Sequence, residues 1–350
     1  MKVLQVNTEK TWRGGERQTL FTLQGLKDSS IEVGLLCRRG FPLEKAAREL
    51  GVPVYVVNSS LEAFFFLANN PENYDIYHPQ TGKGHSLAAY SKVFHHKPII
   101  YTRRVNFSQS GFLSKQKYRL TDQVVAISNA IKDTLNEFDV HDVTVISSAI
   151  EEKPLSEARI ISDITEWNPE RKSIIATTGD MVPQKDPLTM VETIRCLKEE
   201  RNDFIFLHFG HNQMKESVFP LIEKYGLGPY YKCLGHIDGV EDYFAVFDIF
   251  LITSNETEGL CSSIYDAFIY KVPVVSTLTG GMFDSVGDRG LTCGPREPEC
   301  LAKHLSTLID DKKKRQTMAD KAYTWAKENV TIESITPKYV ELYKQVFSKQ

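Results

Sequence analysis

The feature that most constrains this chain is a hydrophobic period that keeps switching between two and 3.6 residues. Short β-branched or aromatic runs at Val3–Val6, Val33–Leu36, Val54–Val57, Asp75–Tyr77, Pro98–Tyr101, Val124–Ile127 and Val143–Ile146 each predict a strand. Amphipathic stretches lie between most of them. Leu20, Leu23 and Leu26 share one helical face, and Pro42 opens a helix carrying Leu43, Ala46, Ala47 and Leu50. Strand–helix alternation at this rhythm predicts parallel sheets with helices on both faces. Near residues 151–170 the period lapses into a charged stretch with two prolines, read here as a linker. The alternation then restarts with strands at Ser173–Thr177, Phe204–Phe209, Tyr231–Leu234, Ile249–Ile252 and Val272–Ser276. The expected fold is α/β: two Rossmann-like doubly wound parallel-sheet domains, 1–165 and 166–332, facing a cleft that is the default ligand site. The final residues, 333–350, are helical, with Tyr339, Leu342, Tyr343 and Val346 in one stripe.

Charge and cysteine usage narrow the class. Lys and Arg number 42 against 45 acidic residues, a net −3, which lacks the basic footprint of a nucleic-acid binder. The apolar runs are far shorter than a membrane span, and the stretch after Lys2 is too short for a signal-peptide core. The six cysteines, Cys37, Cys196, Cys233, Cys261, Cys293 and Cys300, form no CxxC pair and read as free thiols in a reducing compartment. The expectation is a cytoplasmic enzyme.

The segment richest in chemistry is Ser254-Asn-Glu-Thr-Glu-Gly-Leu-Cys-Ser-Ser-Ile-Tyr-Asp266, which follows a buried strand and enters a helix. With a helix start near Cys261, Glu258 stands in the loop before it and Asp266 one turn inside, below Ser262 and Ser263. Such a start offers free N–H groups to an anion, and Gly259 allows close approach. Two carboxylates flanking an anion site suit a ligand with phosphates in the middle and a polyol at each end. The plainer reading is acidic residues set against a helix dipole. Two glycine-rich turns, Trp12-Arg-Gly14-Gly15-Glu16 and Thr279-Gly280-Gly281, follow strands in the two halves.

These residues resemble the retaining glycosyltransferases of the GT-B fold, specifically glycosyltransferase family 4 (glycosyl transferases group 1). The likeness is carried by Glu258 and Asp266 in the family's E-x7-E position, by Pro273-Val-Val with Gly280-Gly281, by Gly14-Gly15-Glu16, and by Gly179-Asp-Met-Val-Pro-Gln-Lys185-Asp-Pro. Ala126-Ile-Ser128 and Leu234-Gly-His236 extend it over nearly the whole chain. It implies a donor domain at 166–332, an acceptor domain at 1–165, and a final helix that packs back on the first domain. Asp266 resembles the carboxylate that holds the donor ribose, and Glu258 the one that orients the donor sugar. Lys185 is similar to the cation that neutralises the leaving phosphates. Gly14, Gly15, Gly259, Leu260, Cys261, Ser262 and His236 complete the implied donor contacts.

Two departures stand out: Asp266 replaces a glutamate, and Asp180 occupies the place of a second phosphate-binding arginine. Asp180 is expected to point away, with Arg103 or Arg104 as the compensating cation or as an acceptor clamp. His78 and His85 are candidate sugar or acceptor contacts, with turn histidines bonded to backbone as the alternative. No DxD-like pair is evident, so the expectation is metal-independent transfer without a cofactor, from a nucleotide sugar to a glycan or lipid-linked acceptor. The opening Thr-Trp-Arg-Gly-Gly-Glu is similar to members that build lipopolysaccharide or other cell-surface glycans. The basic stretch 83–119, with interleaved aromatics, reads either as a solvated face or as a peripheral contact with the inner membrane surface. A nucleotide-sugar epimerase and a non-catalytic sugar-nucleotide-binding subunit are the rival readings.

Overall fold

A computed structural model describes residues 1–108 and 110–349. The chain divides into two compact units: Met1–Glu151 together with Asn329–Gln350, and Glu152–Glu328. The crossings thus fall at 151/152 and 328/329, where the sequence reading put them at 165/166 and 332/333.

The first unit holds β1 (Lys2–Asn7), β2 (Glu32–Arg38), β3 (Val54–Val57), β4 (Ile76–Pro79), β5 (Ile100–Arg103), β6 (Gln123–Ala126) and β7 (Val143–Val145). They pair in parallel as β3-β2-β1-β4 and β5-β6-β7, and a parallel bridge from Tyr77 to Ile99 joins the two sheets. Every residue of β1 after Lys2 is buried, as expected of a central parallel strand covered on both faces. The two-residue period sorts the strand side chains between two cores. Val3, Val33, Leu35 and Ile76 enter one, while Leu4, Val6, Leu36 and Tyr77 enter the other. The last helix, Ile332–Ser348, delivers Tyr339, Leu342, Tyr343 and Val346 into the first core, beside Phe21, Leu23 and Leu26 of the helix Gly14–Lys27. Burial of each large side chain contributes about 1.5–3 kcal/mol, enough to hold that helix firmly on this unit.

The second unit contains β8 (Ser173–Thr178), β9 (Phe204–Phe209), β10 (Tyr231–Gly235), β11 (Ile249–Ile252), β12 (Val274–Thr277) and β13 (Leu291–Cys293). Their order is β10-β9-β8-β11-β12-β13, all parallel, which puts the strand-order reversal between β8 and β11. In such sheets ligands gather at the carboxyl ends beside the reversal.

Three features correct the sequence reading. The supposed linker is largely a helix, Glu157–Trp167, whose Ile160 is buried and whose Trp167 stacks on Tyr243 at 5.5 Å. Its charged residues concealed the apolar face. Strand β13 was not expected, since Leu291-Thr-Cys293 holds no β-branched apolar run. Cys293 and Cys300 are joined in a disulfide and so are not free thiols, leaving Cys37, Cys196, Cys233 and Cys261 free. The end of β13 and the first turn of the helix Pro298–Asp310 bring the two Cα atoms to 6.0 Å, a proximity that a seven-residue separation does not reveal.

Candidate functional site

The site in the second unit is built where β8 and β11 end. Beyond β8 the chain passes through Gly179 and Asp180 into a short 3-10 turn, Pro183–Lys185. Asp186 follows in the left-handed region, φ 43°, and its carboxylate accepts from the Thr189 amide to start the helix Pro187–Glu200. Beyond β11, Thr253 Oγ1 lies 2.9 Å from the Lys185 carbonyl and 3.0 Å from that of Asp186. Asn255 donates its backbone N–H to Gln184 O at 2.9 Å and its amide Nδ2 to Pro183 O at 2.8 Å. These bonds lock the two loops together backbone to side chain, and they fix the Lys185 stem.

The lysine's Nζ then stands 3.0 Å from Glu258 Oε2 and 3.1 Å from Cys261 Sγ. Both side chains are largely buried, at 23% and 17% exposure for Lys185 and Glu258. Burial by itself would lower the lysine's pKa. The Cys261 sulfur and the Glu258 carboxylate outweigh it and hold the ammonium above its ordinary value. The result is a permanent cation at the mouth of the strand-order reversal, paired with a carboxylate on the neighbouring loop.

The glycine pair supports that loop from below. Gly280 has φ 51°, and a Cβ there would approach the Glu258 carbonyl to 2.7 Å. A Cβ on Gly281 would come within 1.8 Å of the Gly259 carbonyl, well inside contact distance, and the Gly281 amide donates to Glu258 O at 3.2 Å. The backbones of the two loops touch, which is why no side chain fits.

The helix carrying Asp266 begins at Ser263, not Cys261, and ends at Ile269. Ser262 is its cap, and Asp266 is buried at 5% exposure. Gly259, Leu260 and Cys261 are buried in the preceding loop. With barely two turns, this helix supplies a weak dipole, so the positive charge of the site comes from Lys185.

Asp180 is committed elsewhere. Its Oδ1 accepts from the His211 amide and from His211 Nδ1, each at 2.9 Å, and its Oδ2 from Gln213 Nε2 at 3.3 Å. The His211 ring stacks on His236 at 4.7 Å, and His236 Nε2 lies 3.2 Å from Asp238 Oδ1. The sequence reading found Asp180 and His236 but not the residues joining them. His211 and Gln213 carry no motif, whereas Asn255, also missed, sits in an Asn-Glu-Thr signal for an Asx turn and accepts from Thr257 N at 3.0 Å.

In the first unit, Gly14 and Gly15 are the opening residues of a helix, not a turn before it. Glu16 holds that start, since its Oε2 accepts from the Arg13 amide at 2.9 Å and from Thr11 Oγ1 at 3.2 Å. A Cβ on Gly15 would meet no other group within 4 Å, so its face is open.

The structure places the other first-unit candidates as follows. His78 is fully buried, with Nδ1 2.7 Å from Tyr343 Oη and Nε2 2.8 Å from Thr102 Oγ1. His85 is also fully buried, stacked on Tyr101 at 3.9 Å and bonded through Nε2 to Thr121 Oγ1 at 2.7 Å. Neither ring reaches the surface. Arg103, 1% exposed, donates to Val105 O at 3.0 Å, to Tyr118 Oη at 2.8 Å and to Phe107 O, so its fork is spent on folding its own loop. Arg104 is half-buried and donates to Gln80 Oε1 at 2.7 Å. For His78 and Arg103 a strand-end position suggested exposure, but parallel strands this well covered bury their ends as well.

Residues 162–325 match the family described as Glycosyl transferases group 1. No curated protein matches the sequence significantly. Among solved structures, the chain is similar to the HepE protein of Anabaena in complex with UDP-glucose, at 18% identity and TM-score 0.85, covering 99% of this chain and 100% of that one. It is similar to a glycosyltransferase of Rickettsia africae at 19% identity and TM-score 0.87, covering 100% and 99%. The lipopolysaccharide outer core galactosyltransferase WaaB aligns at 14% identity and TM-score 0.72, covering 99% and 100%. The fold is therefore that of the GT-B glycosyltransferases, with two Rossmann-like domains. The group 1 match over residues 162–325 falls in the second unit, and UDP-glucose is the ligand held by the Anabaena protein.

Proposed function

We propose that this chain is a retaining, metal-independent family 4 glycosyltransferase that moves a sugar from a nucleoside-diphosphate sugar to a glycan or lipid-linked acceptor in lipopolysaccharide or other cell-surface polysaccharide synthesis. The observation that carries this reading is the Lys185–Glu258 pair, 3.0 Å apart on two loops stapled together at the carboxyl ends of β8 and β11. Departure of a nucleoside diphosphate leaves negative charge on a phosphate oxygen. A fixed ammonium lowers that barrier without reorganising, so Lys185 stabilises the leaving group. Glu258, held by the same loop, orients the sugar, and Asp266 takes the ribose hydroxyls. The departing phosphate oxygen accepts the proton of the incoming hydroxyl, so no further base is needed. Lys185 supplies a positive charge that a divalent ion would otherwise bring.

Support for a lipid-linked acceptor comes from three helices of the first unit. Leu61, Phe65, Val93, Phe94, Phe112 and Leu113 are all exposed there. They lie on the helices Ser60–Asn69, Gly82–His95 and Phe112–Arg119, which adjoin: Phe64 meets Phe94 at 6.1 Å, and Tyr90 Oη donates to Leu113 O at 3.0 Å. Lys83, Lys117 and Arg119 lie on the same helices, and an apolar patch with basic neighbours suits an anionic membrane surface. Among the described residues no helix is long and apolar enough to cross a membrane.

The test is calorimetry across uridine, guanosine, adenosine and cytidine diphosphate sugars, followed by turnover with the best binder. Lys185→Ala and Glu258→Gln are expected to stay folded and lose turnover by about a hundredfold or more. Near-normal rates in both variants would remove the pair from the mechanism, and accumulation of an epimerised nucleotide sugar without transfer would favour the epimerase reading.

A further inference from the structure

The disulfide in the second unit has a third neighbour. Cys293 ends the edge strand β13 and is buried, Cys300 lies on the first turn of the helix Pro298–Asp310, and His304 follows one turn later on the same face. Their ligand atoms, two sulfurs and an imidazole nitrogen, all lie within 4.8 Å of one another. Cys300 and His304 are partly exposed, so both a reductant and an ion can reach them. The His304 ring makes no hydrogen bond to any described residue, unlike His78, His85, His95, His208, His211 and His236. A histidine one helical turn from a cysteine, aimed at a second cysteine and otherwise uncommitted, is the arrangement that sulfur–nitrogen coordination requires.

We propose that in the reduced protein Cys293, Cys300 and His304 form a binding site for a thiophilic divalent ion of the zinc class, a state that alternates with the disulfide. Two thiolates and an imidazole suit zinc and exclude magnesium or calcium, which demand oxygen donors. Three protein ligands leave the fourth tetrahedral position to water. The chemistry balances as follows. An external dithiol gives two electrons and two protons to the Cys293–Cys300 bond, producing two thiols, and is itself oxidised to a disulfide. The ion then displaces both thiol protons into solvent, while His304 binds in its neutral form. The scaffold already positions the sulfurs, because the loop between them is pinned by Gly294 N donating to Glu297 Oε2 at 2.8 Å and by Pro298 at the helix start. The site also touches the donor loop's support, since the Cys293 carbonyl accepts from Leu278 N at 2.8 Å, just before Gly280–Gly281.

The experiment uses the full chain, freed of metal and either air-oxidised or reduced with a phosphine. Zinc is titrated against a chromogenic chelator, and cobalt is added as a spectroscopic probe. The reduced chain should bind one ion with release of about two protons and show thiolate-to-cobalt charge transfer with tetrahedral bands. The oxidised chain should bind none at this site. His304→Ala, which leaves the disulfide intact, should weaken zinc binding by about tenfold or more, and Cys300→Ser should abolish it. Equal zinc binding by oxidised and reduced chains would overturn the proposal. So would full-strength binding in reduced His304→Ala. None of these readings depends on glycosyl transfer.

Discussion

Lowering the pH from 7 to 5 should cost the first unit more stability than the second, because buried histidines are unequally divided between them. Burial, reinforced by the Arg104 charge, pushes His78 down to about 3; burial also brings His95 and His208 to about 4 and His85 well below its ordinary 6.5. Each is therefore neutral when folded. Between pH 6.5 and those values the unfolded chain binds a proton that the folded chain refuses, so stability falls as the pH falls. Over the two units from pH 7 to 5 that linkage costs about 2 kcal/mol per histidine. His78 and His95 together withdraw about 4 kcal/mol from the first unit, and His85 adds to it, while His208 takes about 2 kcal/mol from the second. Against a typical domain stability of about 5–15 kcal/mol this difference is large. The assay is urea unfolding at pH 7 and pH 5 with hydrogen-exchange pulse labelling at one common pH, reading β6 for the first unit and β9 for the second. The first unit's midpoint should fall clearly further. Equal shifts, or an earlier loss of β9, would mean that His78 and His95 titrate like exposed histidines and that the buried network around Tyr343 and Thr102 is misassigned.

Other perturbations probe the site and its support. Gly281→Ala should displace the Glu258–Gly259 loop, since a Cβ 1.8 Å from the Gly259 carbonyl cannot be accommodated; donor affinity measured by calorimetry should fall while the urea midpoint of the first unit stays fixed. Asp266→Ala should weaken binding of the free nucleoside diphosphate at least about tenfold, through loss of charged hydrogen bonds worth about 1.5–3 kcal/mol each, and unchanged affinity would move the ribose elsewhere. Arg103→Ala should lower the thermal stability of the first unit by leaving the Val105 and Phe107 carbonyls and Tyr118 Oη without their donor, and leave nucleoside-diphosphate affinity unaltered; the opposite pattern would return Arg103 to a ligand-binding role.

The parts of the molecule that were legible in the sequence are those governed by local periodicity. Twelve of the strands announce themselves because a buried parallel strand is a short apolar run bounded by turn residues, and only β13, Leu291-Thr-Cys293 set between two glycines with no β-branched apolar run, does not register. The helix Glu157–Trp167 failed for the opposite reason: its apolar face is narrow and its charges dominate a window average. At the site, Lys185 and Glu258 stood out by their motif, but their 3.0 Å pairing depends on Thr253 and Asn255 bonding to carbonyls some seventy residues away, and no local pattern encodes a side chain's choice of a distant carbonyl. The same limit hid the burial of His78, His85 and Arg103. A polar residue near a strand end looks like a ligand contact until its partners are known; here Tyr343 and Thr102 take both ring nitrogens of His78, His85 is fully buried with Nε2 on Thr121, and Tyr118 with two carbonyls takes the Arg103 fork. Asp180 shows the converse. Its acid is unwelcome beside a diphosphate on charge alone, yet the structure gives it two bonds from His211 and one from Gln213, so its charge is spent on ordering the loop after β9. That leaves Lys185 as the cation through which this second unit can answer the charge of a leaving phosphate, and it makes the lysine, rather than the short helix at Ser263, the residue on which the proposed chemistry turns.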